Sequence, residues 1–408
     1  MGRPRAVLFC MPETGHFRRL CPLIVDLRAA GVEPHVFTDR RFAPEVERAG
    51  GRFADLFDGR PLAAADDSST PFPCRYVSFA GTYADELIAE ASAISPDVVV
   101  YDTFAAIGPV VGRALGIPYV NLCAGHAMDP AAVDELLANH PRVAVSDACR
   151  RAVDALRTRH GIADASAFLY LTGVSPHLNL YCEPPEFLTA AQRRSFEPVA
   201  FYGSLPPASD LEARARTDVP APFGEAAAVK IYACFGTVVW RYWAADAFAA
   251  LQAVSAALSD APGARGLISL GGARLDSARR SSLEAPNIEV AEYVEQMRVL
   301  DEADVLITHH GLNSTHEAIY NRVPMLSYPF LSDQPGLAAT CARLGLAVRL
   351  AESVRGPLSA EAIGHGLDEL AANDRAIGRR LDEARSWELR VLDERPSVVE
   401  RISELARH

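Results

Sequence analysis

Short apolar runs recur along the chain, each followed by a stretch whose apolar residues fall at helical spacing and end at a glycine. RAVLFC (5–10) is the first strand. In the following FRRLCPLIVDLRAAG, Leu20, Leu23, Ile24 and Leu27 share one helix face before Gly31 stops it. PHVFTD reads as the next strand, and RRFAPEVERAGGRFADL repeats the order helix, glycine, strand. Further on, PDVVVYD (96–102) is a buried-strand run, FAAIGPVVGRALG a helix with a glycine stop, and IPYVNL a strand. This alternation predicts an α/β fold with a doubly wound, Rossmann-like parallel sheet.

The pattern restarts at VKIYACFG (229–236), with a helix over AADAFAALQAVSAALSD and strands at GLISLGG and NIEVAEYV. DVLITHH, NSTHEAIYN and VPMLSYP then form a strand, a short helix and a strand. Between the halves, SLPPASDLEARARTDVPAPFGE (204–225) is rich in proline and charge and poor in apolar periodicity, which marks a linker. The chain ends in two helical segments, the second expected to break at Pro396. The expected division is a first domain at 1–205, a linker at 206–226, a second domain at 227–385 and a terminal helix at 386–408 that returns to the first domain.

At 408 residues the chain has the length of two domains. Its net charge of −12, with no basic stripe, excludes a nucleic-acid binder. Lys230 is the only lysine and follows Val229, so no G-x-x-x-x-G-K-[ST] phosphate loop exists. The eight cysteines are scattered singly, which suits a reducing compartment. No stretch approaches the ~18 apolar residues of a spanning helix. A cytoplasmic protein without membrane insertion is expected, as a monomer or homodimer.

THHGLNSTHEAIYNRVPMLSYPFLSDQ (308–334) holds three histidines, a glutamate and an aspartate. A metal site is the obvious first reading. His309 and His310 are neighbours at a strand end, where side chains point to opposite faces, and His316 and Glu317 diverge by roughly 100° on a helix. No H-E-x-x-H occurs, so no metal is expected. In a βαβ unit a ligand sits at the carboxyl ends of the strands, facing the helix N-terminus. Gly311 lets backbone approach closely, and Asn313 and Ser314 are expected to open the helix as cap-type residues. That makes an anion cradle suited to a diphosphate. Glu317, one turn on, can accept from vicinal ribose hydroxyls, and Asp333 and Gln334 fall on the same sheet edge. Taken singly, Glu317 also reads as a solvated helix residue and Asp333 as a turn former.

The order His309, Gly311, Asn313, Ser314, Glu317, Val323, Pro324, Asp333, Gln334 resembles the nucleotide-sugar signature of family-1 glycosyltransferases, of the bacterial natural-product type. The resemblance implies the GT-B fold, two Rossmann-like domains facing across a cleft, with acceptor bound by the first and donor by the second. It assigns His309, Asn313 and Ser314 to the diphosphate, Glu317 to the ribose, and Asp333 and Gln334 to the sugar. In EYVEQMRVL, Gln296 keeps its place, while Tyr293 stands where a base-stacking tryptophan is common. Arg322 occupies the usual glycine before VP, and Thr237 in CFGTVV matches a hydroxyl residue that touches the β-phosphate.

ETGHFRRLCPLIVDL resembles the family's first loop and helix, so His16 matches the catalytic histidine and Asp102 in VVVYDTF its aspartate partner. Arg18 and Arg19 depart from the usual small or proline residues there. Without the resemblance, His16 reads as a helix-capping or solvated loop residue and Asp102 as a helix N-cap. A neutral imidazole held by a carboxylate can take the proton of an attacking hydroxyl, typically worth ~100- to 10,000-fold. No D-x-D pair is present, so a metal-independent, inverting transfer of a hexose from a UDP- or dTDP-sugar to a small hydrophobic acceptor is expected, with no cofactor. Retention of Glu317 with Asp333 and Gln334 leans towards UDP-glucose. Acceptor-site candidates are Phe72 and Tyr76 in an expected loop at 57–80, His126 in one at 122–145, and Trp240 in GTVVWRYW near the cleft, while the plainer reading of these side chains is core. The competing readings are a non-catalytic nucleotide-sugar-binding auxiliary protein and a nucleotide-sugar 2-epimerase.

Overall fold

Two sheets organise the chain, and every strand pairing in both is parallel. They are seen in a computed structural model that describes residues 2–407 apart from 128, 208–209, 212–222, 224–226 and 262. The first sheet comprises β1 (Arg5–Phe9), β2 (Glu33–Thr38), β3 (Arg52–Asp55), β4 (Val98–Asp102), β5 (Tyr119–Cys123), β6 (Leu178–Tyr181) and β7 (Val199–Phe201). Its order is β3-β2-β1-β4-β5-β6-β7. The second comprises β8 (Val229–Cys234), β9 (Ala264–Ser269), β10 (Ile288–Ala291), β11 (Val305–Thr308), β12 (Met325–Ser327) and β13 (Ala347–Arg349), in the order β10-β9-β8-β11-β12-β13.

The apolar runs explain the central strands. All five residues of β4 are buried, as expected of a parallel strand covered on both faces. Helix Thr14–Ala29 buries Leu20, Leu23, Ile24 and Leu27 and gives way to Gly31 at φ +83°, where a left-handed backbone costs glycine nothing. In each sheet the strand order reverses once, between β1 and β4 and between β8 and β11. Chain crossovers leave in opposite directions at those points, opening a crevice at the strand carboxyl ends.

By its contacts the chain forms two units, Met1–Pro206 with Val391–His408, and Pro207–Arg390. Most of the linker expected at 206–226 lies outside the described residues. Two expectations are corrected. The segment 57–80 is not all loop, because helix Cys74–Ile94 starts inside it. Its partner, helix Asp147–Arg159, lies so close that a Cβ on Gly81 would stand 2.5 Å from the Ala152 carbonyl oxygen. Glycine spacing of this kind leaves no periodic signature.

Finally, Pro396 does not break the tail, which is one helix over Asp374–Leu405. A proline inside a helix costs about 3 kcal/mol, and packing around it offsets that cost. Val391, Val398, Val399 and Ile402 are buried, and the Arg395 guanidinium donates to the carbonyls of Tyr202 at 2.8 Å, Leu205 at 2.6 Å and Pro206 at 3.3 Å.

Candidate active site

In the first unit, His16 and Asp102 are brought together by the two strands at the switch point. β1 ends at Phe9 and leads into the helix that carries His16 in its first turn, while Asp102 is the last residue of β4. His16 Nδ1 lies 2.5 Å from Asp102 Oδ1, and Asp102 has no exposed surface. A carboxylate accepts from Nδ1–H, which leaves the Nε2 lone pair as the basic atom of the neutral ring.

Three side chains that the sequence reading did not assign hold this turn. Glu13 caps the helix through its backbone carbonyl, which accepts from His16 N and Phe17 N at 3.0 Å. Its carboxylate accepts from Arg75 Nη2 at 2.9 Å and from the Tyr76 hydroxyl. Buried Arg19 donates through Nε to Gly15 O at 3.1 Å and through Nη1 to Ala124 O at 2.5 Å, tying the turn to the end of β5. Phe104, two residues beyond Asp102, stacks on the His16 ring with 4.1 Å between centroids and 28° between planes. Phe72, Tyr76 and Tyr170 pack around Phe104 at 5.8, 6.0 and 5.6 Å. Position 104 could have been found from its place just past a strand end beside a candidate carboxylate.

The acceptor candidates separate in the structure. Phe72 is half-buried with its ring against Phe104. Tyr76 has no exposed surface, and His126 is buried with Nδ1 2.8 Å from Glu183 Oε2. As placed, Tyr76 offers a ligand no surface and His126 only 4% of its own. Trp240 belongs to the second unit, half-buried in the short helix Val238–Tyr242.

In the second unit, the strands at the switch point, β8 and β11, place Thr237 and His309 just past their carboxyl ends. Helix Leu312–Tyr320 follows β11. Its N-cap is Gly311, not Asn313 or Ser314, which occupy the first turn. The N–H groups of Leu312, Asn313 and Ser314 precede the first helical bond, Thr315 N to Gly311 O at 3.0 Å, so they face outward as an anion-attracting end. His309 is clamped between two glycines. A Cβ on Gly236 would lie 2.6 Å from its Nε2, and one on Gly311 would lie 2.4 Å away. Burial pushes the His309 pKa down to about 4, so the ring is neutral near pH 7. Its Nδ1 is buried without a hydrogen-bond partner.

Gln296, Ser314 and Glu317 form one network. Gln296 Nε2 donates to Ser314 Oγ at 3.0 Å and Glu317 Oε2 at 2.6 Å, while its Oε1 accepts from the Tyr232 hydroxyl at 3.3 Å. Tyr293, three residues before Gln296, is 52% exposed. Asp333 is the N-cap of helix Gln334–Arg343. Gln334 Oε1 accepts from Phe330 N at 2.9 Å and Leu331 N at 3.1 Å, which leaves the amide nitrogen as the atom suited to a ligand.

The three histidines of this stretch do not converge. His309 lies between the glycines, His310 meets Thr315 and Ser327, and buried His316 holds Glu388 at 2.6 Å.

The two-sheet architecture and the second unit have counterparts among known proteins. The family described as "UDP-glucoronosyl and UDP-glucosyl transferase" matches residues 229–374, the segment that carries the second site. An uncharacterized UDP-glucosyltransferase of Bacillus subtilis (strain 168) is 23% identical over 97% of each chain. The zeaxanthin glucosyltransferase of Pantoea ananas is 23% identical over 63% of this chain and 61% of its own. Among solved structures, the glycotransferase of kitacinnamycin superposes with a TM-score of 0.79 at 22% identity, over 99% of this chain and 100% of its own. The calicheamicin glycosyltransferase CalG4 does so with a TM-score of 0.73 at 21% identity, with the same coverage. The resemblance found in the sequence holds. The chain has the GT-B fold and is an enzyme, a glycosyltransferase, whose residues 229–374 match that family. Among the described residues, no helix is long and apolar enough to cross a membrane.

Proposed function

We propose that the protein is an inverting, metal-independent hexosyltransferase that uses a UDP- or dTDP-sugar and a hydroxyl of a small hydrophobic acceptor. The observation that carries this reading is the His16–Asp102 pair, with Nδ1 engaged by a buried carboxylate and Nε2 left as the base. The acceptor proton passes to His16 Nε2 as its oxygen attacks the anomeric carbon of the sugar. The bond from that carbon to the diphosphate oxygen breaks, and the nucleoside diphosphate leaves with the electron pair. A single displacement inverts the anomeric centre. Phe104, already in contact with the base, supplies an apolar surface beside it.

The leaving diphosphate gains negative charge, and the second unit offers groups that favour it. These are the first-turn N–H groups of helix Leu312–Tyr320, the neutral His309 ring and the exposed Thr237. Glu317, held by Gln296, suits the ribose hydroxyls, and Asp333 with the Gln334 amide suits the sugar. Tyr293 offers a ring for the base.

A panel of phenolic and macrolide acceptors with UDP-glucose and dTDP-glucose, read by mass spectrometry, tests the reading. Transfer that persists in EDTA is expected. Activity abolished by EDTA and restored by Mn²⁺ would overturn metal independence, and near-full transfer by His16→Ala would overturn the general base.

A further inference from the structure

We propose that His310 is a positioning residue that sets the spacing between the diphosphate and sugar ends of the donor site. The inference rests on the proposed donor reading of the second unit. His310 adopts φ +57°, in the left-handed region, where a residue with a Cβ is held only if its surroundings compensate. Its side chain is fully buried and supplies that compensation. Nδ1 lies 3.1 Å from Thr315 Oγ1, in the first turns of helix Leu312–Tyr320, and Nε2 lies 2.6 Å from Ser327 Oγ, at the end of β12. The His310 backbone N–H donates to Thr308 Oγ1 at 3.2 Å, at the end of β11.

One residue thus braces three elements: its backbone N–H holds the end of β11, and its imidazole joins the helix that opens at Gly311 to the end of β12. The first two carry His309 and the diphosphate-facing N–H groups. The third leads within a few residues to Asp333 and Gln334. Beyond Ser327 the loop is pinned again, because Gln334 Oε1 accepts from Phe330 N and Leu331 N, and the Arg355 guanidinium donates to Phe330 O. The His310–Ser327 contact is therefore a direct side-chain link between the turn at one end of the donor and the root of the loop at the other. An imidazole is rigid, so the distance it spans is fixed by covalent geometry.

Calorimetry on the full-length chain with UDP, dTDP, UDP-glucose and dTDP-glucose tests this. For each nucleotide, the ratio of the two Kd values, with and without sugar, reports how well the sugar end is seated. Ser327→Ala removes only the hydroxyl that meets Nε2. His310→Gly removes the ring while suiting the left-handed backbone. Both variants are expected to raise the Kd for nucleotide sugar about fivefold or more, with the Kd for nucleoside diphosphate changing less than about twofold, as the loss of one buried hydrogen bond predicts. An unchanged ratio in Ser327→Ala overturns the proposal, whether both affinities fall together or neither moves. If the wild-type chain binds no nucleotide at all, the donor reading fails as well, which separates that outcome from failure of the His310 assignment alone.

Discussion

His16 Nδ1 sits 2.5 Å from Asp102 Oδ1 while its ring face lies on Phe104, so the imidazole is held both in its plane and across it. Asp102→Asn keeps the shape but loses the charge that balances a protonated ring. It is expected to lower kcat by ~100-fold or more, within the range of general-base help, without changing the Kd for UDP or dTDP. Steady-state kinetics paired with calorimetry checks this, and an unchanged kcat would sink the dyad.

Gly311 is in extended backbone at φ −64°, which any residue can adopt, so its substitution acts through crowding alone. The Cβ of Gly311→Ala would stand 2.4 Å from His309 Nε2, so the ring must move. Loss of a charge-assisted bond to the diphosphate is expected to weaken nucleotide binding by about tenfold or more, with a stability loss of about 1–3 kcal/mol from overpacking. Calorimetry and urea unfolding measure the two effects, and wild-type affinity in this variant would remove His309 from the diphosphate site.

The pKa of His309 is pushed down from 6.5 to about 4 by burial, so the unfolded chain binds a proton that the folded chain refuses between those values. Stability from this residue is fully present above about pH 6.5 and is lost as the pH falls through about 4. At pH 5 the loss is roughly 2 kcal/mol relative to neutral pH. Urea denaturation of wild type and His309→Asn at pH 7.5 and pH 5 isolates the effect. The gap between the two proteins is expected to move against the wild type by that amount at the lower pH, and a constant gap would show that His309 is accessible to protons.

Arg395 places a buried charge against the carbonyls of Tyr202, Leu205 and Pro206 and over the Tyr202 ring at 4.5 Å. Arg395→Ala leaves these acceptors without their donor and is expected to cost about 2–4 kcal/mol. Thermal unfolding checks this, and Arg395→Lys is expected to recover only part, because an ammonium lacks the planar fork. A loss below about 0.5 kcal/mol would mean the tail is held by its valines and isoleucine alone.

By itself, the amino-acid sequence determined the central strands, the helices with glycine stops and the identity of most candidate site residues. Those features are written locally, as apolar runs, a period of 3.6 and short polar signatures such as HHGLNSTHE. The β6 strand LNLY and the β7 strand VAF were not legible, because three or four residues carry no usable period. The intact tail across Pro396 was not legible either, since it depends on carbonyls some 190 positions away in sequence.

Tertiary structure alone decided which candidates work together. It placed Phe104 on His16, wrapped Glu13 and Arg19 around the turn that carries His16, and put Gln296 between Ser314 and Glu317. It also turned His310 from a side chain without a role into a brace between two strands and a helix. Parallel strands are joined only through long crossovers, so their carboxyl ends bring together residues whose separation in sequence holds no trace of the contact.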